Sequence, residues 1–335
     1  MSRPNAKPWR QHDAQEPVRA TLLHAQSAVP DFAVTVPDNG YAWWYLDGLS
    51  DDGRFGLTVI AFVGSVFSPY YAWARRRPQP TEAERHVAIN AVLYQPGGGK
   101  RWAMTERSAA NLQRTSDHYQ LAGSSLNWDN DTLTVAIDER CAPFGQRLRG
   151  QISMDCAARN PTAVCLQPDG QHIWHPLAPK GRVAVTFENP DVSWEGNGYF
   201  DHNRGATALD SAFDYWSWSR AHTQSGTDID YEFWTHGEQP AHGLCSVGID
   251  PAGHLTERDP SARATLPGTG WRIDRNSRMP ESTVTRTLED TPFYARTQLQ
   301  QRDSDTQIIC ESLDLTRFRS PWVQLLLPFR MPRRA

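Results

Sequence analysis

Two short runs in this sequence, "HIW" at residues 172–174 and "YFD" at 199–201, carry groups that can act on a substrate. In an extended strand, residues i and i+2 point to the same side. His172 with Trp174, and Tyr199 with Asp201, therefore form two dyads. Were their strands neighbours, an imidazole, an indole, a phenol and a carboxyl would converge on one cavity. Such a set suits proton transfer beside an aromatic surface. Spacing alone leaves other assignments open. His172 could be a hydrogen-bonded histidine after the "PDG" turn, and Asp201 an Asx-turn residue ahead of Asn203 and Gly205. Glu188 or Glu195 could pair with Asp201 for glycoside hydrolysis. His172, His175 and His202 are the histidines a metal would use, but their spacing is not that of a zinc site. No G-x-S-x-G elbow offers an acyl-transfer nucleophile, and no GxGxxG or P-loop cradles a phosphate.

The scaffold that must position these groups is large enough for two domains or one big β protein, at 335 residues. A net charge of -4 gives no global basic field, so no nucleic-acid partner is expected. Tryptophan is abundant, with 13 Trp beside 10 Tyr and 12 Phe, a composition that suits both cores and apolar ligand cavities. The run "MSRPNAKPWRQHDAQEP" is polar, so neither a signal peptide nor a membrane anchor is expected there. The longest apolar run, Phe55–Phe67, is too short to cross a bilayer as a helix. Cys141, Cys156, Cys165, Cys245 and Cys310 form no C-x-x-C pair and fit a reduced cytosol better than a disulfide framework.

Period-2 patterning dominates. Leu133, Val135 and Ile137 share one face, as do Leu148, Ile152 and Met154, and Val183, Val185 and Phe187. Turn-rich segments such as "QPGGGK", "WDND" and "LEDTP" separate the runs. "TEAE" (Thr81 to Glu84) predicts at most one helical turn before the strand "HVAINAVLY". The expected fold is all-β, with two antiparallel barrel or sandwich domains. The expected division is a flexible arm over residues 1–30, a first domain over 31–185 and a second over 186–330.

Longer stretches carry a resemblance. "VPDNGYAWWYLDGLSDDGRFGLTVIAFVGSVFSPYY", "RWAMTER", "HIWHPLAP", "GYFDHNRG" and "DYWSWSR" make the chain from Val36 onward similar to the bacterial carotenoid 1,2-hydratases, or hydroxyneurosporene synthases. The resemblance implies two lipocalin-like β-domains packed side by side. It implies a hydro-lyase that adds water across the terminal C1=C2 bond of acyclic carotenoids such as neurosporene or lycopene, without cofactor or metal. The family's H-x-W and Y-x-D residues fall on His172, Trp174, Tyr199 and Asp201.

Hydration of an unactivated alkene requires protonation at C2, a tertiary cation at C1 and capture by water. On this reading Asp201 donates the proton, Trp174 and Tyr199 face the cation, and His172 holds the water. The substrate lives in lipid, which implies a cytoplasmic protein in peripheral contact with the inner or photosynthetic membrane. The loop Ser68–Pro80, with Tyr70, Tyr71, Trp73 and Arg75, Arg76 and Arg77, is the expected docking element. The tail "SPWVQLLLPFRMPRRA" reads as a second contact or as a last strand with a basic end. Two alternatives use the same scaffold: a cofactor-free polyene cyclase or isomerase, and a lipocalin-type lipid carrier.

Overall fold

"YAWWYLDGLS" places large apolar side chains on both faces, the pattern of a strand covered on both sides. Tyr41–Ser50 is such a strand, and all of its residues are buried. In the computed structural model, which describes residues 17–25, 27–167, 170–238, 240–302 and 304–334, it lies inside a 13-stranded antiparallel sheet. Gly56–Val63 pairs with one edge of it and Asp191–Gly205 with the other, and His172–Asn189 follows. A second, 8-stranded sheet is centred on Phe213–Thr223, Gly226–Thr235, Tyr294–Gln301 and Gln307–Asp314.

Two cores result, and the Tyr41 strand is the wall between them. Ala42, Trp44 and Leu46 pack inside the first sheet's own curl, among Leu133, Val135 and Ile152. Tyr41, Trp43 and Tyr45 point the other way and pack with Trp216, Trp218 and Tyr231 of the second sheet. The all-β expectation holds, and the three alternating runs bury the faces expected of them.

Several elements differ from the sequence reading. The chain leaves the first sheet only after Gly205, so a division at 185/186 falls inside the 18-residue strand His172–Asn189. Of the expected arm, residues 1–16 lie outside the described residues, as do Pro168 and Asp169 of the "PDG" turn. Val18–Arg19 pairs in parallel with His242–Ile249, and Thr21–His24 pairs with Thr162–Cys165, because both partner strands offer a free edge. Where a last strand was an option, Pro321–Arg330 is a helix opened by Pro321, apolar on so many sides that no period stands out. Pro69–Ala74 is also helical, capped by Ser68, whose hydroxyl accepts from the Tyr70 and Tyr71 amides. That helix buries Tyr71, whose phenol donates to the Gly40 carbonyl, and Arg75 pairs with Asp210 at 2.5 Å. The expected docking loop therefore presents little of its aromatic content to solvent. The "TEAE" turn forms as a 3-10 helix, Ala83–Arg85, followed by the strand Val87–Tyr94.

A buried ionic cluster fastens the two sheets. Asp47 of the Tyr41 strand accepts from Arg220 Nε at 2.9 Å and from Arg296 Nη2 at 2.6 Å. Arg296 also pairs with Glu311, which accepts from the Tyr45 phenol at 2.9 Å. Two guanidinium groups face two carboxyls, so every member of the cluster has a partner of opposite type. Truncating one member strands the others without compensation. Asp47→Ala is expected to destabilise the protein by about 3–5 kcal/mol. The exposed Asp51–Arg182 pair is worth far less, so Asp51→Ala is expected to shift a urea midpoint only slightly. Urea titration of the two variants checks the contrast, and equal shifts would contradict it.

Candidate active site

The run "GNGYFDHNRG" occupies the end of the strand Asp191–Gly205, and its register sets the site. Tyr199, Asp201, Asn203 and Gly205 lie opposite Asp47, Tyr45, Trp43 and Tyr41. On the other edge, Trp174 pairs with Asn203 and His172 with Gly205. Odd-numbered side chains of the Tyr41 and Asp191 strands, with His172 and Trp174 of the third, thus share the face turned towards the second sheet. The glycines permit this close approach. A Cβ on Gly205 would lie 2.3 Å from Cε1 of Tyr41 and 2.7 Å from Nδ1 of His172, and one on Gly196 would lie 1.9 Å from the Leu49 carbonyl oxygen.

Three of the four expected residues meet. Oδ2 of Asp201 accepts from the Tyr199 phenol at 2.8 Å and from the Trp174 indole N–H at 3.0 Å. The Asn203 amide donates to Oδ1 at 3.2 Å. All three donors are neutral. Burial therefore dominates, and it pushes the Asp201 pKa up to about 8. At neutral pH the carboxyl is mostly protonated. Oδ2 holds two donors and Oδ1 one, which leaves Oδ1 the oxygen with more room for a proton.

His172 is placed differently. Its Nδ1 hydrogen-bonds the Tyr41 hydroxyl at 2.9 Å and its Nε2 the Thr207 hydroxyl at 3.3 Å, while the ring packs on Phe213. It sits further along the face than Trp174, away from the carboxyl. His202 and His175 face the first core's side and hold the carbonyls of Trp43 and Asn160. Burial lowers both, His202 to about 3. Glu188 and Glu195 are exposed and pair with Arg149 and Arg182, so neither joins Asp201 as a glycosidase pair. Among the described residues no three His, Cys, Asp or Glu side chains gather as metal ligands. All five cysteines are buried and unpaired.

Two adjoining cavities lie at the site, and Asp201 lines the smaller one. The smaller, about 30 Å³, is lined by Asp201 and Asn203 from one sheet and by Trp216, Trp218, Tyr231 and Glu311 from the other. It has room for a water molecule, which needs about 10–15 Å³ by this measure. Trp43, Tyr45, Trp216 and Glu311 also line the larger cavity, about 410 Å³ and mostly apolar, which runs out to Trp271, Leu326 and Phe329. The aromatic surface facing the cavity is thus Trp43, Tyr45, Trp216, Trp218 and Tyr231. Trp174 and Tyr199 stand behind the carboxyl, with Tyr199 packed on Trp218 at 5.2 Å and Trp174 on Tyr231 at 5.5 Å.

Sequence reasoning missed Glu311. The signal was available: Ile309, Glu311 and Leu313 alternate on one face of Gln307–Asp314, so an acid stands where an apolar residue belongs. Burial raises its pKa while Arg296 pulls it back. Asp201 has no such cation. Two carboxyls therefore face one water-sized space, one in contact with a guanidinium and one with neutral donors only.

A sequence profile described as "Carotenoid hydratase CrtC" matches residues 59–335. The chain belongs to the carotenoid hydratase CrtC family. It is 46% identical over 311 residues to an acyclic carotenoid 1,2-hydratase of Thiocapsa roseopersicina, covering 91% of this chain and 76% of that one. It is 40% identical over 313 residues to the protein of the same name from Rubrivivax gelatinosus, with the same coverage. The fold of this carotenoid hydratase family member is similar to a solved AttH candidate from Nitrosomonas europaea. The TM-score is 0.54 at 13% identity, covering 86% of this chain and 99% of that one.

The raised Asp201 pKa has a sign that stability can read. Between the unfolded value of about 4 and the folded value of about 8, the native state holds a proton that the unfolded chain has released. Stability from this group is therefore lost as pH rises through that window. Asp201→Asn keeps the shape and cannot ionise. Its stability relative to wild type is expected to climb from pH 4 to pH 8 and level off above, measured by urea midpoints. A flat difference would place the carboxyl in an ordinary, ionised state.

Proposed function

We propose that this chain is an acyclic carotenoid 1,2-hydratase, a hydro-lyase that adds water across the terminal C1=C2 bond. The larger cavity takes one end of the polyene and directs its terminal double bond into the smaller one, where Asp201 and the water meet it. The carrying observation is the buried Asp201 carboxyl, held by neutral donors and opening on a water-sized space with Glu311 on its far side.

The steps balance as proton transfers. Asp201 Oδ1 gives its proton to C2, leaving a tertiary cation at C1 and a carboxylate still held by Tyr199, Trp174 and Asn203. Trp216, Trp218 and Tyr231 face the cation with π-surfaces, each worth about 2 kcal/mol when desolvated. The water attacks C1 and its surplus proton passes to Glu311, the carboxyl in contact with Arg296. Return of that proton to Asp201 restores both groups. Two carboxyls in contrasting surroundings serve as acid and base. His172, bonded to Tyr41 and Thr207, braces the indole's strand in this scheme and does not handle the water. The sequence is redox-neutral and calls on no cofactor, so turnover is expected to survive exhaustive chelation. Acyclic carotenoids dissolve in lipid, and the reading includes peripheral contact with a membrane.

A gain of one water after incubation with lycopene or neurosporene supports hydration. An isomeric product would indicate a cyclase or isomerase, and unchanged bound polyene a carrier. In D₂O one deuterium is expected at C2. Asp201→Asn is expected to lower turnover by at least ~10²-fold, and Glu311→Gln by a comparable factor, with both proteins folded. Wild-type turnover in Asp201→Asn would remove the acid from the scheme.

A further inference from the structure

The helix Pro321–Arg330 has an unusual outer face. Val323 and Leu327 are buried against the second core, as expected of an amphipathic helix. The opposite face is also apolar. Trp322, Leu325, Leu326 and Phe329 follow at i, i+3, i+4 and i+7, and they are 47%, 66%, 44% and 73% exposed. Trp271, 44% exposed, stacks on Trp322 at 6.1 Å and widens the patch. Contiguous exposed apolar surface of this kind marks an interaction site. Leu326, Phe329 and Trp271 also line the outer end of the large cavity, so the patch surrounds a mouth.

The border of the patch is basic. Arg330 is exposed at the helix end, and Arg76 and Arg77 follow the helix Pro69–Ala74, which packs against this one. None of the three pairs with a carboxylate among the described residues. Arg330 lies over the Trp102 ring at 4.8 Å, beside the mouth.

We propose that this face seats the protein on an anionic lipid bilayer, with the cavity mouth opened towards the acyl chains. The proposal rests on the reading that the substrate is a polyene dissolved in lipid. Apolar side chains at the centre and unpaired arginines at the border match the layering of a headgroup region over an acyl layer. A second copy fits less well. A two-fold contact sets each patch against itself, bringing the arginines together and closing the mouth through which the substrate must pass. Among the described residues no helix is long and apolar enough to cross a membrane, so this contact is peripheral.

Co-sedimentation with vesicles tests the proposal without any substrate. Wild type is expected to bind vesicles of phosphatidylcholine with phosphatidylglycerol, more weakly in high salt and on phosphatidylcholine alone. Leu325→Glu, at an exposed position that does not line the cavity, is expected to weaken binding at least ~10-fold by removing apolar contact and repelling headgroups. Arg76→Gln with Arg77→Gln is expected to weaken it about fivefold per arginine and to flatten the salt dependence. Hydration of vesicle-embedded carotenoid should fall in parallel, while turnover of a short, water-dispersed acyclic isoprenoid stays at the wild-type level. Wild-type vesicle binding by Leu325→Glu overturns the proposal. So does a wild type that ignores vesicles and forms a dimer that Leu325→Glu dissociates, which would make the occupant a second copy. Absence of hydrated product from wild type on the dispersed substrate would overturn the hydratase reading alone.

Discussion

Everything at this site depends on one carboxyl being deprived of charge partners. Asp201 is buried in the wall between two cores and, among the described residues, receives hydrogen bonds only from a phenol, an indole and an amide. Neutral donors satisfy its oxygens but give its anion little to replace water. The nearest cations, Arg220 and Arg296, are already engaged with Asp47 and Glu311. Charge and neutrality are thus separated within a few strand positions. The ionic cluster holds the sheets together, and beside it burial without a cation raises the Asp201 pKa.

The strand Tyr41–Ser50 makes that separation possible. Because it is buried on both faces, one side completes the first sheet's core while the other brings Tyr41, Trp43, Tyr45 and Asp47 to the site. Asp201 enters from the neighbouring strand and Glu311 from the facing sheet. Neither sheet alone contains both carboxyls, so the site exists only where the sheets meet. This explains why the cluster around Asp47 sits next to the candidate site. The spacing between the sheets that it fixes is also the spacing between the two carboxyls, the acid and base of the proposed scheme.

Much of this was legible in the sequence. Period-2 runs at residues 133–137 and 148–154 read directly as strands because only one of their faces is buried. The Y-x-D and H-x-W dyads share a face because strand geometry allows no other outcome for i and i+2. Their partners were less legible. His172 and Asp201 both lie on that face, but the register that sets them apart depends on pairing between Gly205 and His172. Glu311 is remote in sequence and joins the site only through the packing of one sheet on the other. Trp216 and Trp218, in "DYWSWSR", showed the right alternation yet were read as family likeness instead of cavity wall. The helix Pro321–Arg330 escaped for a different reason. Its apolar residues serve both a core and an exposed patch, so the sequence has no polar side from which to read a period.

The protonation state of Asp201 at working pH is the point on which the chemistry turns. Infrared difference spectroscopy between neutral and alkaline samples detects the carbonyl band of a protonated carboxyl, and Asp201→Asn identifies its owner. A band present at pH 7, lost with a midpoint near pH 8 and absent from the variant, is the expected result. No such band at pH 7, or a band that Asp201→Asn leaves unchanged, would mean that Asp201 is ionised in the fold and cannot be the proton donor.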